Sequence, residues 1–159
     1  MKKIIVILLL ASTIYAGGIF SVGHKNFGFS VGSSSGYGNT YTVLGINANY
    51  FVTDNLSVGA GYVGWFGNDP KINVISIPVT YYTPTESAYK PYAGVFYRHT
   101  FMDDPYEDHD VHGARVGIAI VTGSNSFMNI GWVQEYYDNG RRDGSDARGY
   151  PEISGGFTF

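Results

Sequence analysis

The chain has 159 residues, enough for one domain. Its 10 basic and 13 acidic residues argue against nucleic acid as a partner, and the absence of cysteine excludes disulfides and thiolate metal sites. Charged residues make up only 14%, against 22 glycines, 14 tyrosines and 10 phenylalanines, a mixture that points to strands interrupted where space is tight or the chain bends.

Lys2 and Lys3 precede the apolar run from Ile4 to Leu10, which gives way to small and mixed residues up to Ala16. That order reads as a secretory signal peptide, residues 1–16, cleaved after Ala16. The run is far shorter than the roughly 20 residues of a spanning helix. Residues 17–159 then form a single exported domain, in which 8 basic residues face 13 acidic ones once Lys2 and Lys3 are removed.

From there the chain shows a period of two and no sustained helical period. Phe27, Phe29 and Val31 open the series. A first strand starting at Ile19 would set Lys25 on the apolar parity, so a bulge or a later start is required. Thr42, Leu44, Ile46, Ala48 and Tyr50 follow, then Leu56, Val58, Ala60 and Tyr62 after the turn residues Thr53, Asp54 and Asn55. Next come Ile75, Ile77, Val79 and Tyr81, then Ala93, Val95 and Tyr97. Ala114, Val116, Ile118 and Ile120 precede Met128, Ile130 and Trp132, and the series closes with Ile153, Phe157 and Phe159. Pro78 and Pro151 lack a ladder donor and need an edge, a bulge or a strand end.

These are eight strands. The connections near residues 53–55, 83–89 and 123–125 are mostly short. Those at 34–39, 66–71, 102–112 and 138–146 are predicted to be the longer ones. An even number of antiparallel strands with this alternation predicts an all-β, eight-stranded, up-and-down transmembrane barrel of the bacterial outer-membrane type. A soluble, lipocalin-like barrel is the competing fold. In water its outer face would carry charge. Here the second face is mainly Gly, Ser and Asn with a few charges, which suits the cramped lumen of eight strands. The apolar face suits hydrocarbon, where only a closed barrel or a helix satisfies every backbone group.

At this point the sequence resembles the small OmpA/OmpX-type outer-membrane barrels. The residues that carry the resemblance are Ile153, Phe157 and Phe159, with the strand–turn–strand run Tyr-Phe-Val-Thr-Asp-Asn-Leu-Ser-Val at 50–58. The resemblance implies that Ile153, Phe157 and Phe159 are read by the outer-membrane assembly machinery, and that the partners include outer-membrane lipids and lipopolysaccharide. It specifies architecture far better than activity.

The second face holds Arg98, Arg115, Glu135, Arg148 and Glu152. A buried ion needs a partner. Glu135 is expected to reach Arg115 on one neighbouring strand and Arg148 on the other, making a polar plug. The competing function is a narrow, porin-like conduit for small solutes. Near the outer rim, Asp103, Asp104, Glu107, Asp108 and Asp110 cluster with His109 and His112. Such oxygens suit a hard cation such as Ca²⁺, although their spacing is not that of an EF-hand, and a solvated loop is the simpler reading. The segment from Asp138 to Gly144 reads first as turn chemistry.

Some outer-membrane barrels modify lipid A, one type through a His-x-Ser arrangement on a strand. Here His99 is followed by Thr100 and Phe101, so that serine is missing, and Thr100 points to the opposite face. The sequence therefore predicts no enzyme and no cofactor. It predicts a structural role or the binding of a cell-surface ligand through the outer loops at 103–112 and 138–146.

Overall fold

The computed structural model describes residues 18–36, 38–138 and 146–159. The proposed signal peptide and most of the 138–146 loop lie outside them. Eight strands follow in chain order: β1 Lys25–Gly36, β2 Asn39–Thr53, β3 Leu56–Phe66, β4 Ile72–Tyr82, β5 Tyr89–Met102, β6 His109–Val121, β7 Ser126–Tyr137 and β8 Ala147–Thr158. They close into one antiparallel up-and-down barrel in which β8 returns to β1. At 11 to 15 residues the strands match or exceed the roughly 9–11 that cross a bilayer.

The apolar parity faces outward. Phe29, Val31, Ile46, Ile77, Val95, Val116, Trp132 and Ile153 are all exposed on the outer wall, with no charge among them. At one end the strands are joined by residues 54–55, 83–88 and 122–125, and at the other by 37–38, 67–71, 103–108 and 138–146. Two connections are shorter than predicted. The β1–β2 hairpin zips up to Gly36 opposite Asn39, so residues 34–36 belong to the strand. Gly38, at φ 79°, takes the left-handed conformation such a tight turn needs. Residues 109–112 likewise pair with β5 as the start of β6.

The first strand starts late, at Lys25. Residues 18–24 leave the wall and turn into the barrel mouth at the short-turn end. Ser21 closes that turn through its N–H to the Gly18 carbonyl at 3.0 Å, and its hydroxyl accepts the Gly18 N–H at 2.9 Å.

The two prolines resolve differently from one another. Pro78 lies mid-strand with register unchanged: the β3–β4 ladder runs to Val58–Val79, lapses, and resumes at Gly61–Ser76. It occupies neither an edge, a bulge nor an end, and the fold tolerates one gap instead. At Pro151 the ladder to β7 continues unbroken, so the missing donor faces β1.

The lumen is less purely polar than its Gly, Ser and Asn content predicts. Phe20, Phe51, Tyr82, Tyr92, Ala119 and Phe127 form a buried apolar cluster at the short-turn end. Phe96, Val111 and Val133, with Tyr137 and Tyr150 against them, form another toward the long loops. Aromatic rings cross the lumen where the opposing wall is glycine. A Cβ on Gly117 or Gly131 would lie 2.8 or 2.5 Å from the Tyr92 hydroxyl, and one on Gly113 would strike the Phe96 ring.

Candidate functional site

Four of the five lumenal charges predicted resolve into two ion pairs built on one geometric plan. Glu135 on β7 stands opposite Gly113 on β6, which stands opposite Phe96 on β5. Arg98, two residues further along β5, lays its guanidinium on the Phe96 ring, 4.2 Å from the centroid, and donates from Nη1 to Glu135 Oε1. The same Nη1 donates to the Tyr150 hydroxyl at 2.6 Å, which in turn donates to Glu135 Oε1 at 2.8 Å. Tyr137 donates to Glu135 Oε2 at 3.0 Å. The Glu135 side chain is only 8% exposed, and three donors reach it, two at Oε1 and one at Oε2.

The second pair repeats the plan one strand further round. Glu152 on β8 stands opposite Gly131 on β7, which stands opposite Gly117 on β6. Arg115, two residues from Gly117, donates from Nη1 to Glu152 Oε1 at 3.3 Å and from Nη2 to Thr80 Oγ1 at 2.6 Å. In both pairs the acid and the arginine lie two strands apart, and the strand between them presents glycine. This corrects the predicted pairing of Glu135 with Arg115 and Arg148. Nearest-neighbour strands are not the nearest partners in a barrel this narrow, because long side chains cross over an intervening glycine. Arg148 instead holds its guanidinium 5.3 Å from the centre of the Tyr150 ring.

The mouth at the short-turn end is closed by a different chemistry. Phe20, 2% exposed, stacks on Tyr82 with centroids 4.1 Å apart and meets Phe51 and Phe127 at 5.6 and 5.3 Å. Its carbonyl accepts the Asn55 N–H at 2.7 Å, and the Val22 N–H donates to Asp54 Oδ1 at 2.9 Å, so the plug is tied to the β2–β3 turn. Asn55 takes φ 64°, a conformation asparagine tolerates. Sequence reasoning missed Phe20 because residues 18–24 read as a doubtful extension of β1. The conflict of parity at Lys25 was the available signal.

At the outer rim the five carboxylates do not converge. Asp108 Oδ1 accepts the Met102 N–H at 2.9 Å. Asp110 turns to the outer wall, where its Oδ1 accepts the Tyr97 hydroxyl at 2.5 Å and lies 2.6 Å from His99 Nδ1. Those hydrogen bonds, Tyr97 first and His99 second, hold the Asp110 carboxyl below its usual range. Asp103 bonds through its backbone to Lys71 and Tyr106. Among the described residues, Asp104 and Glu107 join no group of three or more His, Asp or Glu side chains that could hold a metal ion. His112 pairs with Asp138 at 2.9 Å and stacks on Tyr136. These outward partners were missed because Asp110 and His112 were assigned to a loop, where parity has no meaning.

His99 faces outward and Thr100 is buried toward the lumen, so the two cannot act as base and nucleophile on one substrate. Ile153, Phe157 and Phe159 share the outer wall at 70%, 53% and 67% exposure. Phe159 exchanges two backbone hydrogen bonds of 2.9 Å with Lys25.

No family model and no curated protein matches the sequence. Solved structures do match the architecture. The N-terminal β-barrel domain of Pseudomonas aeruginosa OprF aligns over 87% of this chain and 98% of its own, with a TM-score of 0.59 and 17% identity. Neisserial surface protein A aligns over 85% of this chain and 94% of its own, with a TM-score of 0.52 and 19% identity. The fold is that of a small outer-membrane β-barrel. For such a barrel the short-turn end is the periplasmic one and the long loops face outward. The Phe20 plug closes the mouth at the short-turn end, and the Arg98–Glu135 pair lies toward the long loops.

Proposed function

We propose that this chain is a bacterial outer-membrane protein, exported by a cleaved signal peptide, whose barrel does not conduct along its axis. Its work is structural, or the binding of a cell-surface ligand through the rim around 103–110 and 138–146. The observation that carries this reading is the double occupation of the lumen, by Arg98, Glu135 and Tyr150 toward the outside and by Phe20 at the periplasmic mouth. Eight strands leave an interior just wide enough for side chains, and here side chains fill it at two levels.

The exposed wall from Phe29 to Trp132 contacts lipid, the rim meets lipopolysaccharide, and Ile153, Phe157 and Phe159 serve the assembly machinery. No enzymatic role is assigned. His99 is oriented by Asp110, but the residue two positions on is Phe101, where a His-x-Ser arrangement would carry its serine. Planar-bilayer recording tests the reading. The refolded chain is expected to give no steps above baseline, and regular conductance steps would replace this function with the conduit.

A further inference from the structure

We propose that the outer half of the β1–β8 seam is a lateral portal that takes a single-chain anionic amphiphile from the surrounding outer leaflet. β1 pairs with β2 along its whole length, from Lys25 to Gly36, and β8 pairs with β7 from Ala147 to Phe157. To each other they pair only from Asn26–Thr158 to Phe29–Gly155. Beyond that point two strand edges face one another without a ladder. In hydrocarbon such an edge must be covered, because no water is present to satisfy its N–H and C=O groups.

The sequence supplies the cause. Pro151 turns its donor-less nitrogen toward β1, and the facing stretch of β1 reads Val-Gly-Ser-Ser-Ser-Gly in sequence. Glycines on the lumenal face of β1 record the change. A Cβ on Gly28, inside the ladder, would lie 2.8 Å from the Asn47 side chain and 2.9 Å from the Gly155 carbonyl, whereas one on Gly32 would meet nothing within 4 Å.

Continuing the register sets Val31 opposite Ile153, Gly32 opposite Glu152 and Gly36 opposite Arg148. Val31 and Ile153 are the most exposed large apolar side chains among the described residues, at 73% and 70%. They flank the opening as the walls of a slot for an acyl chain. Behind it, Arg115 Nε and Glu152 Oε2 are buried without a hydrogen-bond partner. At its outer end Arg148 lies on Tyr150, with no carboxylate within 4 Å of it among the described residues. A carboxylate or phosphate head at Arg148 with the chain descending past Val31 and Ile153 matches both the chemistry and the direction of an outer-leaflet amphiphile.

The inference rests on the outer-membrane placement proposed above, and the test separates the two. The chain carries no native cysteine, so cross-strand pairs report the seam directly. In refolded protein in vesicles, Phe29→Cys/Gly155→Cys should oxidise readily. Val31→Cys/Ile153→Cys, on the same face one step higher, should oxidise about tenfold more slowly, because a disulfide tolerates little extra separation. In wild-type protein, a diazirine-bearing palmitate should label the lumenal residues Tyr150 and Glu152, and Arg148→Ala should cut that labelling about tenfold. A phosphatidylglycerol bearing the same diazirine chain, run in parallel, distinguishes a bilayer lipid from a free acid as the source. Equal oxidation of the two cysteine pairs, or labelling confined to outward residues, overturns the portal alone. A chain that will not enter vesicles overturns the membrane reading and the portal with it.

Discussion

The two ends of the lumen are closed by opposite means. Toward the outside, an ion pair lies between two tyrosine hydroxyls, with every partner fixed to a strand of the wall. At the short-turn mouth the plug is an aromatic ring on residues 18–24, a segment that precedes the first strand and is tied to the wall at a few points. The difference is one of reversibility. Removing either member of the ion pair strands the other in a place it cannot leave, whereas removing the ring lets a tethered segment swing into water.

That contrast is open to measurement. The largest effect is expected for Glu135→Ala, which leaves the Arg98 guanidinium facing tyrosines alone. Urea unfolding in lipid vesicles should show a loss of about 3 kcal/mol, and Arg98→Ala should cost less, because Glu135 keeps the hydroxyls of Tyr137 and Tyr150 as donors. A Glu135→Ala loss below that of Phe20→Ala would break the comparison. Phe20→Ala should cost about 2 kcal/mol, near the value of burying one ring, with the loss limited by undocking of the segment. Proteolysis should then cut residues 18–24 in the variant and spare them in the wild type.

Gly131→Val sharpens the account of the intervening glycines. Its side chain meets the Tyr92 hydroxyl and the opposing backbone, and the expected cost is about 1–2 kcal/mol. Substituting Gly32→Val, where a Cβ meets nothing, should be nearly silent by the same assay.

The smallest effect belongs to Asp110, on the part of β6 that projects beyond the apolar belt. Its folded-state pKa is lowered by Tyr97 and His99, so its contribution is present above the unfolded value of about 3.9 and is lost as pH falls through the lower, folded one. Unfolding rates measured between pH 5 and the acid limit should therefore rise less steeply in Asp110→Asn than in the wild type.

Much of the barrel was legible before any coordinates. The outward set from Phe27 to Phe157 follows from parity alone, because successive strand residues point to opposite faces and lipid accepts only one of the two sets. Turn chemistry located Asp54 and Asn55. Parity also assigned Arg98, Arg115, Glu135, Arg148 and Glu152 to the lumen, yet it could not pair them. Glu135 meets Arg98 across a glycine on the strand between, and Glu152 meets Arg115 in the same way. Nor could parity follow residues 18–24, whose path depends on a mouth that exists only once eight strands have closed.

What the amino-acid order determined by itself was local: a period of two, glycine and proline at named positions, and the sign of each face. The tertiary structure decided which charges meet, that a phenylalanine outside the strands fills the short-turn mouth, and that β1 and β8 join along only part of their length. The physical reason is that alternation is a property of one strand. Distances across a lumen and the length of a seam are properties of the closed ring, fixed by how eight strands share one circumference.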